Sequence, residues 1–177
     1  VDKMPDNLSN DLYLELTGND KFETECIHVT DLLKNEYKDS PEQSAFIRGK
    51  LYHYAIESLL KNLERKGKLK IVELESPKMI NYTVKNRQFK VCFTPDVIIN
   101  KDNKNILVEI KTSVKSRDYA ILQTSIYKHL LETFFNRKID ECVLLTGDLQ
   151  EFKIHCDADV GKQILEDRLG NSLLLFF

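Results

Sequence analysis

Apolar residues recur at helical spacing between Glu42 and Arg65, where Phe46, Leu51, Ala55, Leu59 and Leu63 form a stripe and Gly67 follows as a stop. Three strand-like runs come next, Leu69–Leu74, Met79–Val84 and Phe89–Ile99. Asn86 separates the last two as a turn residue, and the third run is rich in β-branched and aromatic residues. The polar stretch Asn100–Asn105 lies between Val97-Ile-Ile99 and Ile106-Leu-Val108, which predicts a hairpin whose two strands are antiparallel neighbours. Arg117–Asn136 reads as a long amphipathic helix with Ala120, Ile121, Ile126, Leu130, Leu131 and Phe134 on its apolar side. A near-continuous apolar strand over Cys142–Leu145, a Gly147-Asp148 turn, an alternating strand over Phe152–Cys156 and a helix from about Asp157 complete the chain. Upstream, in an acidic and mixed N-terminal stretch, Thr30 is placed to cap a short helix through Asp31, Leu32 and Leu33.

The order helix, antiparallel strands, helix, strand, strand, helix predicts an α/β fold in which a mixed central β-sheet is flanked by helices. At 177 residues the chain fits one domain over 1–177. With 42% hydrophobic and 31% charged residues it has the composition of an ordinary soluble globular protein. No apolar run approaches a membrane span, and the N-terminus lacks the layout of a signal peptide.

The formal net charge of −2 does not by itself point to a nucleic-acid partner. The distribution is more telling, because Asn81–Lys138 holds 11 Lys and Arg against 5 Asp and Glu. A solvated face is the plain alternative for such a run. Cys26, Cys92, Cys142 and Cys156 are widely spaced without a C-x-x-C pair, so the expectation is four free, buried thiols in a soluble protein of a reducing cytoplasmic interior.

Candidate chemistry falls inside the basic stretch. Pro95-Asp96, then twelve residues, then Glu109-Ile110-Lys111 places one carboxylate on a strand and a second carboxylate and an ammonium on its hairpin neighbour. Strand period 2 puts Glu109 and Lys111 on one face. Two converging carboxylates repel unless a cation lies between them, and oxygen ligands suit Mg²⁺ or Mn²⁺. A lysine beside that cation can orient a water and stabilise charge developing on a phosphoryl group. For Glu-x-Lys alone, an edge-strand pair facing water is the simpler reading. Gln123 and Tyr127 share one helix face at i and i+4. Tyr127 could equally be plain core. His53 could add a nitrogen ligand, although a lone helix histidine is more often a packing or surface residue. Glu57, one turn on, reads as a solvated helix charge in preference to a partner of His53.

Pro95-Asp96 with Glu109-Ile110-Lys111 resembles the signature of the PD-(D/E)XK nuclease superfamily. Gly49-Lys-Leu-Tyr-His53 is similar to the G-x-x-x-H motif of its RecB-like branch, and Gln123-Thr-Ser-Ile-Tyr127 to that branch's Q-x-x-x-Y motif. The four pieces stand in the family's order. The resemblance implies a restriction-endonuclease-like core and a Mg²⁺- or Mn²⁺-dependent deoxyribonuclease. Its metal ligands would be His53, Asp96, Glu109 and the backbone carbonyl of Ile110, with Lys111, Gln123 and Tyr127 completing the active site. The chain departs from the CRISPR-associated relatives in lacking their clustered cysteines, so no iron–sulfur cluster is expected. DNA is the implied partner, with Lys101, Lys104, Lys115, Arg117 and Lys128 as candidate phosphate contacts. Two other readings stay open: a nucleic-acid-binding or assembly module that keeps the fold without cutting, and a dimeric junction resolvase using the apolar tail Leu173–Phe177 as its interface, though that tail more simply packs on its own domain.

Overall fold

The computed structural model of the chain describes residues 26–33 and 43–174; the stretch ahead of Cys26 and the tail's last three residues, Leu175, Phe176 and Phe177, lie outside the described residues. In chain order the elements are β1 (Ile27–His28), α1 (Val29–Leu33), α2 (Gln43–Arg65), β2 (Lys70–Leu74), β3 (Lys78–Val84), β4 (Arg87–Phe93), β5 (Val97–Lys101) and β6 (Lys104–Lys111). A 3₁₀ turn (Val114–Ser116), α3 (Arg117–Phe134), β7 (Glu141–Thr146), β8 (Glu151–Ile154) and α4 (Ala158–Leu174) follow. The class is α/β with mixed sheets flanked by helices.

Local chemistry accounts for most of these boundaries. Gly67 adopts φ +71° just past α2, and its N–H donates to the Glu64 carbonyl while that of Lys68 donates to Leu63. These bonds satisfy carbonyls that the helix end would otherwise leave bare. Asn136, at φ 50°, plays the same part after α3. The β3–β4 and β5–β6 hairpins each turn on two left-handed residues, Lys85-Asn86 and Asp102-Asn103. Such turns match the twist of the flanking strands.

The strands form two sheets. A five-stranded sheet has the order β2-β5-β6-β7-β8, and a three-stranded one the order β1-β4-β3. The single strand expected over Phe89–Ile99 is therefore two strands in different sheets. Pro95 has no N–H to give a ladder. The chain leaves β4 after Phe93 and enters β5 at Val97, with Asp96 at the junction. Among the described strands of the larger sheet only β6–β7 is parallel, the two being joined through α3.

Ile106, Val108 and Ile110 pack toward α2 with Ile56 and Leu60, whereas Leu107 packs with Ile126 and Leu130 of α3. Strand alternation thus aims Glu109 and Lys111 at α3. The stripe expected on α2 is displaced: Ile56 and Leu60 are buried, while Ala55 and Leu59 are exposed and Leu51 is 62% exposed. Both stripes are apolar, and the sheet selects the one about 100° around the helix. The side chain of Phe46 lies outside those described.

The cysteines also differ from expectation. Cys26 pairs with Cys92 and Cys142 with Cys156, with Cα separations of 5.8 and 6.1 Å. Parallel pairing of His28 with Cys92 and antiparallel pairing of Cys142 with Ile154 bring the partners together, which wide spacing in sequence conceals. The expectation of a reducing compartment rests on free thiols, and the pairing removes that ground. No helix among the described residues is long and apolar enough to cross a membrane.

Candidate active site

The β5–β6 ladder begins with Val97 opposite Val108, so β6 runs past the start of its neighbour. Continued, the register would set Pro95 against Ile110. The Ile110 N–H is taken instead by the Asp96 carboxylate, at 2.8 Å from Oδ2. Asp96 is thereby fixed beside the last residues of β6. Its other oxygen, Oδ1, lies 3.9 Å from Nδ1 of His53, which α2 brings in from the opposite face of the sheet.

Glu109 is only 2% exposed. Lys111 Nζ stands 3.5 Å from its Oε1, and its Oε2 has no hydrogen-bond partner. Burial and, after it, the charge of Asp96 hold the Glu109 carboxyl well above its usual range, against a smaller downward pull from Lys111. Lys111 is also braced by the Tyr119 ring, 4.9 Å from Nζ to the ring centre. On α3, Gln123 Nε2 donates to the Tyr127 hydroxyl at 3.0 Å. Burial, followed by the charge of Glu109, keeps that hydroxyl protonated far beyond neutral pH. Gln123 Oε1 is the second buried acceptor here without a partner.

The seven residues that the resemblance assigns to the metal and the active site line one cavity of about 270 Å³: His53, Asp96, Glu109, Ile110, Lys111, Gln123 and Tyr127. The donor set of these seven, the His53 imidazole and two carboxylates with an unpaired buried oxygen, fits a hard divalent cation. A cation would relieve both the repulsion between Asp96 and Glu109 and the orphaned acceptor. A larger cleft of about 640 Å³ shares His53, Ile110 and Lys111 with this cavity.

Several neighbours have no signal in the sequence. Glu75 holds a left-handed backbone at φ 44° and donates its N–H to the Asp96 carbonyl at 2.9 Å. Its Oε1 lies 3.6 Å from His53 Nδ1. Glu57 is not the free helix charge expected: one ligand atom from each of His53, Glu57 and Glu75 falls within 4.8 Å of the others. Partial burial and then Glu75 raise the Glu57 carboxyl. His28, Thr30 and Thr94 also line the cavity. Glu57 follows His53 by one helical turn and Thr94 directly precedes Pro95-Asp96, but no spacing rule ties Glu75, His28 or Thr30 to the motif; the fold alone brings them to it. Gly49 faces Thr112, where a Cβ would meet the side chain at an ordinary 3.6 Å, so packing alone does not demand glycine.

The basic candidates divide. Lys115 and Arg117 stand four and six residues after Lys111, in the 3₁₀ turn and at the start of α3. Lys101 and Lys104 flank the hairpin turn at the far end of β6, roughly 20 Å away at strand rise. There Lys104 bonds Glu141 at 3.0 Å.

No model of a protein family matches the sequence, and no curated protein matches it. Among solved structures the chain is similar to the crystal structure of SSO0001, with a TM-score of 0.52 and 22% sequence identity over 96% of this chain and 87% of that one. At that identity the likeness is one of fold, and it is the same α/β architecture.

Proposed function

We propose that this protein is a metal-dependent nuclease that hydrolyses phosphodiester bonds in DNA, as its resemblance to the RecB-like branch of the PD-(D/E)XK superfamily implies. The observation that carries the reading is the buried, unpaired Oε2 of Glu109, set in a cavity with Asp96, His53 and Lys111. A buried carboxylate oxygen that no donor reaches is costly unless a cation meets it.

Asp96, Glu109, His53 and the Ile110 carbonyl would hold the ion, which when bound supplies Lewis-acid activation of water and of the phosphoryl group. Lys111 orients the attacking water by donating to it and stabilises negative charge gathering on the phosphate oxygens. With a reference pKa of about 10.4, its ammonium is a donor and not a base at neutral pH. Gln123 fixes the Tyr127 hydroxyl, and Tyr119 limits the freedom of the Lys111 side chain. Lys115 and Arg117, four and six residues past Lys111, would contact flanking phosphates.

Linear and circular DNA, single- and double-stranded, incubated with Mg²⁺, Mn²⁺ or a chelator test the reading. Ion-dependent cutting of any of the four substrates is expected. A pure protein that leaves all of them intact with both ions contradicts it.

A further inference from the structure

The carboxylates of the cavity account for a cation but not for the phosphate itself, whose oxygens need donors. Lys111 and Tyr127 supply donors from β6 and α3. Apart from His53, beside Asp96, and Gln123, bonded to Tyr127, the other polar side chains described in the wall are His28, Thr30 and Thr94, which come from segments of or beside the three-stranded sheet, and all can donate. Of these His28 has the longest reach and two ring nitrogens.

How His28 is held is informative. β1 is two residues long, too short a strand to be fixed by its own ladder with β4. The fixing is done on either side: Val29 and Leu33 are fully buried in the core, and Cys26, two residues ahead, is bonded to Cys92, which sits opposite His28 in the register. Cys92 itself lines the cavity.

We infer that His28 is a further substrate-binding residue, an N–H donor to a phosphate oxygen, and that the Cys26–Cys92 disulfide positions it. The inference rests on the phosphodiesterase reading. Reduction by a dithiol, whose own two thiols close to a disulfide as Cys26 and Cys92 become thiols, frees the segment and withdraws the donor.

The experiment compares the parent with His28→Ala, His28→Asn, Cys26→Ser and the His28→Ala/Cys26→Ser double variant. It reads KM and kcat on a fluorescent DNA oligonucleotide with Mn²⁺, Mn²⁺ affinity by calorimetry, and affinity for the same oligonucleotide with Ca²⁺ in place of Mn²⁺. His28→Ala should raise KM roughly 10- to 100-fold, the range for losing a hydrogen bond to a charged group, with Mn²⁺ affinity unchanged. His28→Asn, which keeps an N–H, should recover part of the loss. Cys26→Ser, and the parent after dithiothreitol, should show a similar loss, and the double variant should be no worse than His28→Ala. Thermal melts establish that each variant is folded, and the Asn variant reports even if Cys26→Ser unfolds. Parental KM and parental oligonucleotide affinity in His28→Ala overturn the inference, as do losses that multiply in the double variant. A parent that cuts no DNA overturns the nuclease reading instead, and weaker oligonucleotide binding by His28→Ala then decides the inference separately.

Discussion

The Asp96 carboxylate accepts the Ile110 backbone N–H at 2.8 Å, at the point where β6 runs on past the start of β5. One side chain thus completes the sheet's hydrogen bonding and places an acid beside Glu109. Asp96→Asn keeps an acceptor for Ile110 and removes one of two converging charges. Without metal this variant should melt at or above the parent's temperature. Asp96→Ala also forfeits the hydrogen bond, about 1.5–3 kcal/mol for a charged acceptor, which offsets the relief of repulsion. Neither should gain stability on adding Mn²⁺, whereas the parent should. Thermal melts with and without the ion check this.

Glu109 supplies a pH dependence of definite sign. Its folded-state carboxyl titrates well above the usual glutamate range, through burial and then Asp96. The unfolded chain therefore loses the proton first. This contribution to metal-free stability is whole below the ordinary glutamate pKa of about 4.3 and is lost as pH rises through the folded value. Glu109→Gln cannot ionise, so its stability advantage over the metal-free parent should grow as pH is raised from about 4 toward neutrality. Urea denaturation of both proteins across that range measures it, and saturating Mn²⁺ should cancel or reverse the difference.

Salt dependence separates the two ends of β6. In a Lys111→Ala background, which should bind DNA without cutting it quickly, charge reversal at Lys115 or Arg117 should weaken affinity. It should also flatten the logarithmic salt slope by about 0.9 for each duplex phosphate that the protein no longer neutralises. Reversal at Lys101 or Lys104, beside the distant turn, should leave the slope alone. Fluorescence anisotropy titrations at several salt concentrations decide it.

The packing of α3, which carries Gln123 and Tyr127, against α4 depends on one close approach. A Cβ at Gly161 of α4 would lie 2.1 Å from the Ser125 carbonyl oxygen of α3, which is backbone and cannot step aside. Gly161→Ala should destabilise the fold by about 3 kcal/mol or more, the upper range for overpacking. Calorimetric melting tests it, and Gly170→Ala, where nothing lies within 4 Å of the added carbon, is the control.

What the sequence made legible is what period and turn chemistry govern. Glu109 and Lys111 share a face because a strand repeats every two residues, Gln123 and Tyr127 because a helix repeats near four, and the Asp102-Asn103 turn sets the hairpin that joins their strand to Asp96. Tertiary choices were hidden. Leu51 and Ile56 are equally apolar, and only the sheet decides which stripe of α2 is buried. Cys26 and Cys92 are 66 residues apart, and their bond follows from a two-residue parallel pairing with no local signature. His28 and Glu75 enter the site by the same route, through contacts between sheets and loops that no spacing encodes.

The central claim is that Asp96 and Glu109 hold a catalytic cation and that Lys111 acts on the reacting phosphate. Mn²⁺ titration calorimetry paired with DNA cleavage, on the parent, Asp96→Ala and Lys111→Ala, tests it most directly. The account predicts that Asp96→Ala neither binds the ion nor cuts, while Lys111→Ala binds it as the parent does and cuts about 100- to 1,000-fold more slowly. Parental Mn²⁺ affinity together with undiminished cleavage in Asp96→Ala would contradict it.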